Sequence, residues 1–385
     1  IDYRTGGHSS GPPPEQVSRA DRQRNLDWID LAFGHGLAKQ EDFPEQLIHD
    51  FDWKQWRAQQ DDASLAIAGD APAIERVKWA LGQAPKTLPP AEQPEFLTDA
   101  ESSLMTHDRW TPRGVHRIPI HFGHGVRGNL YFKDGAPTPM PVVVWLHPLS
   151  YHSGYNEGYG VQGTTVYQRL AENGFAVIAY DQCGFGLRLL EGRDFYKNHP
   201  RWSKLGRMVM DARAAVSFAV EGRDAAKSAI PEFDTKRVFL LGYSSGALSA
   251  MYAGALDDRI AGVACFSGWT PLRNVGNARA TGGNGRLWEL HALQPSLGLF
   301  DGRESEMPFD YDDVFSLVLP KPCLVVTPKR DRYADFSAVV EVIDKVRSAK
   351  PRIAKGSFAW LAPDDTNRFQ ADQHQEFINW TKTLE

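Results

Sequence analysis

Val238-Phe239-Leu240-Leu241-Gly242-Tyr243-Ser244-Ser245-Gly246-Ala247-Leu248-Ser249-Ala250 decides the fold. A bulky apolar run passes without a break into Gly-x-Ser-x-Gly and then into small residues, the pattern of a buried strand turning sharply into a closely packed helix. A turn this tight forces its middle residue, Ser244, into a strained backbone conformation. Residues without bulk are needed two before and two after it, so that the flanking backbones can approach. Gly242 and Gly246 meet that need. A Gly-x-Ser-x-Gly standing alone is also found in plain surface turns, and here the apolar run before it and the small residues after it favour a nucleophile elbow. The hydroxyl is then held above the sheet edge, with the N–H groups of the following helix aimed at any negative charge that forms beside it.

Outward from the elbow, short continuous apolar runs recur: Pro141 to Leu146, Phe175 to Tyr180, Gly262 to Phe266, Cys323 to Val326 and Phe358 to Leu361. Such runs suit strands buried on both faces. Between them lie helical patterns over Thr164 to Asn173, along a stripe of Val209, Ala212, Val216 and Ala219, and over Phe336 to Arg347 behind Asp335 as N-cap. The alternation predicts an α/β fold, a doubly wound, mostly parallel sheet. Ile118, Ile120 and Phe122 alternate before Gly123-His124-Gly125, which predicts an antiparallel hairpin with Val126 to Phe132.

Two segments fall outside this rhythm. Residues 1–110 read as an N-terminal helical extension: a Gly/Pro/Ser-rich arm over 1–13, helices over Val17 to Phe33, Gln46 to Gln59 and Ala73 to Leu81, and a proline-broken linker at Ala84 to Pro90. Residues 111–385 are the catalytic domain. Within it, Trp269 to Leu319 is a long connection with helical promise around Leu287 to Leu293, and it is expected to hang as a cap over the sheet end that carries Ser244.

Composition bounds the function classes. At 385 residues the chain is long for one core, and an apolar fraction of 42% is ample for a buried one. A formal charge of −5 gives no footprint for nucleic acid or an anionic membrane, and no apolar run approaches the roughly 20 residues that span a bilayer, so a soluble protein is expected. Cys183, Cys265 and Cys323 are far apart and read as buried small hydrophobes, with neither disulfide nor metal spacing. The chain opens at Ile1, which points to upstream processing or trimming and leaves the compartment open, secreted, periplasmic or cytoplasmic.

A serine hydroxyl needs a base, an orienter for the base, and oxyanion donors. In sheets of this kind the acid and then the histidine follow the serine in the chain. Asp331 stands in the loop just past the Cys323 to Thr327 strand, while its rival Asp335 is placed to cap a helix. His374 is the histidine downstream of the acid; Asp372 and Gln375 have capping-box spacing, which puts His374 in the first turn of a final helix. His147, His152 and His291 remain as other candidates. The oxyanion donors expected are the backbone N–H of Ser245 and that of Leu149, because Pro148 has none.

At this point the chain resembles the α/β-hydrolases, and within them the dienelactone-hydrolase and acetyl-xylan-esterase-like branch, over roughly residues 115–385. The resemblance is carried by Leu146-His147-Pro148, Asp181-Gln182-Cys183-Gly184-Phe185-Gly186, Gly242 to Gly246, Ala255 to Ile260, and Tyr311-Asp312-Asp313 followed by Pro320-Lys321-Pro322. It implies ester hydrolysis on a small-molecule or carbohydrate ester, no cofactor, and a Ser-Asp-His triad. It also exposes a departure. Relatives carry His-x-Phe shortly after the last strand, where this chain reads Asn367-Arg368-Phe369. Either the base has moved seven residues on to His374, or the triad is broken. The leading expectation is therefore a serine carboxylesterase using Ser244, His374 and Asp331 through an acyl-enzyme. The alternatives are a degenerate hydrolase fold acting as a binding or scaffolding protein, and a peptidase or amidase using the same triad.

Overall fold

Strand β6 (Phe233–Tyr243) is an interior strand of a nine-stranded sheet in the order β1-β2-β3-β5-β4-β6-β7-β8-β9. The computed structural model describes residues 51–67, 69–88, 90–96, 114–156, 164–221, 230–274, 283–352 and 357–384. The expected arm over 1–13 and the helix over Val17 to Phe33 lie outside those residues, as does the start of the helix expected from Gln46.

The remaining strands are β1 (Glu92–Phe96), β2 (Val115–Gly123), β3 (Val126–Lys133), β4 (Met140–Leu146), β5 (Ala176–Tyr180), β7 (Gly262–Phe266), β8 (Cys323–Val326) and β9 (Phe358–Leu361). Those from β4 onward run parallel to one another, and β1, β2 and β3 add an antiparallel edge. The apolar runs are buried as their composition demands, with every side chain of β5, β7 and β8 inside.

Helices cover both faces. On one face sit α7 (Lys204–Glu221), α8 (Ser245–Leu256), α9 (Tyr311–Val318) and α10 (Phe336–Ala349), and on the other α4 (Val166–Glu172) and α11 (Ala371–Lys382), with a separate apolar cluster under each set. Two short helices, α5 (Leu189–Arg193) and α6 (Phe195–Asn198), precede α7. Asp335 caps α10 as expected, accepting from the Ala338 N–H at 3.2 Å. The capping box of α11 is Gln370 with Gln373, two residues before the expected Asp372 and Gln375, so the helix starts at Ala371.

Helices α1 (Trp53–Ala58), α2 (Asp62–Leu65) and α3 (Ala73–Leu81) come from the expected extension. Trp56, Val77, Ala80 and Leu81 join the core cluster under α7 and α8. Residues 92–96, expected in that helical extension, instead form the edge strand β1. The connection from Trp269 to Leu319 carries a π-turn (Arg286–Leu290) near the expected helical stretch. It also carries α9, started by an Asp310–Asp313 capping box. Trp53 ties α1 to this connection: its ring packs 5.3 Å from Trp288 and its Nε1 donates to the Pro295 carbonyl at 2.8 Å.

Candidate active site

Ser244 caps β6 with φ 54° and ψ −120°, the left-handed region that a side-chain-bearing residue enters only under constraint. The constraint is visible at the two glycines. A Cβ on Gly242 would stand 2.2 Å from the Gly246 carbonyl oxygen, and one on Gly246 would stand 1.9 Å from the Leu146 carbonyl oxygen. Strand β4, strand β6 and the first turn of α8 therefore meet backbone to backbone. From Ser245 to Gly254 every residue of α8 is buried, which fixes the helix axis and with it the elbow.

Ser244 lines a cleft at the carboxyl ends of the parallel strands together with Leu149, Ser245, Asp331, Asn367, His291 and Arg286. The placement of Leu149 is set by a buried polar chain. Ser249 Oγ donates to Gln182 Oε1 at 2.7 Å, Gln182 Nε2 donates to the His147 carbonyl at 2.8 Å, and the Gln182 N–H donates to His147 Nε2 at 3.0 Å. Because Nε2 accepts, the ring proton sits on Nδ1, which donates to the Pro148 carbonyl at 2.7 Å. Burial pushes the His147 pKa down to about 4, so the ring stays neutral and both its nitrogens hold the loop that presents Leu149. His147 is thereby committed to structure.

Asp331 follows β8 and is buried. Its Oδ1 accepts from the Tyr333 N–H at 2.9 Å and its Oδ2 from Asn367 Nδ2 at 3.0 Å. Asn367 Oδ1 in turn accepts from the Tyr243 hydroxyl at 2.7 Å, which settles the orientation of the amide. An asparagine thus sits beside the acid on the cleft, and its amide has no basic nitrogen.

The expectation that His374 reaches Ser244 is corrected by its packing. Phe369 stacks on Trp145 at 5.3 Å and on Tyr243 at 5.2 Å, drawing the chain after Asn367 down onto the face covered by α4 and α11. His374, in the first turn of α11, lies 4.7 Å from the Phe369 ring, is only 4% exposed and is absent from the cleft lining. Neither ring nitrogen has a hydrogen-bond partner among the described residues. Burial, and then the nearby charge of Arg169, lower its pKa to about 4.

His152 is exposed. Among the described residues, His291 is the histidine that lines the cleft with Ser244; its Nδ1 lies 2.7 Å from the Tyr151 hydroxyl, whose pKa burial raises. Arg286, directly after Gly285, has no motif that announces it; its neighbour in space, Tyr333, stands two residues past Asp331. Gln182, by contrast, sits inside the Asp181 to Gly186 turn already visible in the sequence. No group of three or more His, Cys, Asp or Glu side chains among the described residues forms a metal site.

Residues 142–314 match the family described as serine aminopeptidase, S33. No curated protein matches the chain in sequence. A glucuronoyl esterase from Solibacter usitatus superposes with a TM-score of 0.58 at 16% identity, covering 86% of this chain and 94% of that one. A glucuronoyl esterase from Teredinibacter turnerae T7901 gives 0.56 at 14% identity, with 88% and 89% covered. An acetyl xylan esterase-like protein from Bacteroides fragilis gives 0.51 at 14% identity, with 86% and 94% covered. The chain has the α/β-hydrolase fold.

Proposed function

We propose that this α/β-hydrolase is a serine carboxylic-ester hydrolase, with Ser244 as nucleophile and the backbone N–H groups of Leu149 and Ser245 receiving the oxyanion. The observation that carries the reading is the left-handed backbone of Ser244, φ 54°, at the end of the interior strand β6. Such strain costs about 1–3 kcal/mol and persists where the surrounding structure enforces it, most often at reacting groups. The names of the structural neighbours, glucuronoyl and acetyl xylan esterases, support an ester on a carbohydrate as the substrate class.

His291 serves as the proton acceptor in this reading. In the tautomer whose Nδ1–H donates to Tyr151 Oη, Nε2 is the basic nitrogen of the ring. Ser244 Oγ attacks the ester carbonyl carbon and its proton passes to His291 Nε2, while the carbonyl electron pair moves onto the oxygen held by the two N–H groups. The bond to the alcohol oxygen breaks as His291 returns the proton to that oxygen, leaving an acyl group on Ser244. Water then repeats the attack through the same imidazole and releases the acid. The carboxylate of Asp331 on the same cleft favours the positive charge that the imidazole acquires.

A fluorophosphonate probe and a chromogenic short-chain ester test this. The wild-type protein is expected to be labelled and to turn over; Ser244→Ala lowers turnover by at least about 10³-fold, and His291→Gln by about 10²-fold. Full turnover after Ser244→Ala would overturn the reading.

Asn367 favours a second reading, a binding or scaffolding protein on a hydrolase fold, because it fills the position beside Asp331 with a group that cannot take a proton. Complete absence of labelling and turnover across an ester panel would establish it. Peptidase or amidase chemistry through Ser244, in keeping with the name of the matching family, is separated by amide and peptide substrates in the same panel.

A further inference from the structure

The arginines of this protein that are buried or half-buried are mostly spent on carboxylates. Arg188 pairs with Asp211 at 2.8 Å and with Glu191 at 2.7 Å, Arg207 with Asp211 at 3.1 Å, and Arg76 with Asp313 at 3.0 Å. Arg286 is different. It is half-buried, lines the cleft beside Ser244, and makes neither an ion pair nor a side-chain hydrogen bond with any described residue. Its guanidinium carbon lies 3.9 Å from the centre of the Tyr333 ring, so one flat face is covered and the N–H edge is left for something else. The nearest acid on the cleft does not take it: Asp331 gives one oxygen to the Tyr333 N–H and the other to Asn367. Burial disfavours the charged form of Arg286, as expected of a cation partly stripped of water without a matching anion.

A guanidinium with five donors, held rigid on an aromatic face and shielded from bulk water, matches a planar oxyanion in two-pronged fashion. We infer that Arg286, clamped on Tyr333, is an anion-binding subsite of this cleft, and that the substrate is an ester carrying a second, free carboxylate. This deepens the esterase reading and rests on it, naming the charge of the substrate that Ser244 receives. The carboxylate would dock on the Arg286 edge and fix the ester carbonyl relative to Ser244. A neutral ester of the same length has no such anchor.

The test compares p-nitrophenyl hydrogen glutarate with p-nitrophenyl valerate, which share acyl length and differ by the carboxylate. The wild-type protein is expected to favour the anionic ester, and Arg286→Gln to lower the ratio of the two kcat/KM values by about 10- to 100-fold. Arg286→Lys, which keeps the charge and loses the fork, is expected to retain an intermediate ratio and guards against a folding artefact. A ratio that does not move in either variant overturns the inference while leaving the esterase reading intact. Calorimetric binding of p-nitrophenyl hydrogen glutarate to Ser244→Ala protein, with and without Arg286→Gln, separates the two claims. Binding that needs Arg286 without turnover in wild type upholds the subsite and sinks the esterase; no binding sinks the subsite.

Discussion

The elbow and the segment that follows β9 are held by different kinds of force. At Gly242, Ser244 and Gly246 the constraint is steric and local, since carbonyl oxygens of β4 and α8 stand within 1.9–2.2 Å of where side chains would begin. Around Asn367 the constraint is side-chain chemistry gathered from distant strands: Tyr243 from the end of β6, Asp331 from beyond β8, and Phe369 lodged against Trp145 of β4. A serine position fixed by backbone contact tolerates almost no substitution nearby. A partner position fixed by hydrogen bonds and ring packing accepts another residue of similar size, which is how an asparagine can hold the place beside Asp331 where the sequence resemblance leads one to expect a histidine.

That contrast is broken most directly at Gly246. Gly246→Ala is expected to destabilise the protein by about 3 kcal/mol or more, read as a fall in the denaturant midpoint, because the clash is with backbone and has nowhere to relax. A loss under about 1 kcal/mol would show that the elbow opens freely.

Asn367→His sharpens it from the other side. A histidine at this position inherits the bond to Asp331 Oδ2, now at 3.0 Å from Asn367, and labelling of Ser244 by a fluorophosphonate is expected to speed up by about 10²-fold. The pH profile should also gain a second ionisation, that of the new imidazole, beside that of His291. An unchanged rate would mean that residue 367 is out of proton-transfer range of the serine.

The smallest effect concerns His374 and His147, each lowered by burial to about 4 from an ordinary value of 6.5. Their unfolded forms bind protons more readily than their folded forms between those values, so each contributes stability that is complete above pH 6.5 and lost as pH falls toward 4. The full swing is at most about 3 kcal/mol per histidine. The thermal midpoint should therefore rise with pH across 4 to 6.5, and His374→Leu should flatten that rise while changing Ser244 labelling by less than about 3-fold. A large loss of labelling in His374→Leu would return that ring to the catalytic cleft.

How far the sequence was legible follows the same division. The elbow, the parallel strands and the cap on α10 are written in contiguous residues, because their physics is local: apolar runs, small residues at a close approach, and an aspartate before a helical stripe. Helix α9 is equally local, with Asp310 and Asp313 at capping-box spacing before Val314, Phe315 and Val318, and it escapes a reading led by the Gly and Asn that crowd the start of the connection. The place of His374 was not local at all. It depends on Phe369 finding Trp145, some 220 residues earlier in the chain, and no spacing rule carries that information. Arg286 was silent for the same reason, since its partner Tyr333 lies in another loop.

Trp53 gives the amino-terminal helices a say in what the cleft accepts. Its ring and its indole N–H brace Trp288 and the Pro295 carbonyl, which belong to the same stretch of chain as Arg286 and His291. A change in α1 alone thus has a mechanical handle on the chain that lines the cleft, without touching a reacting atom.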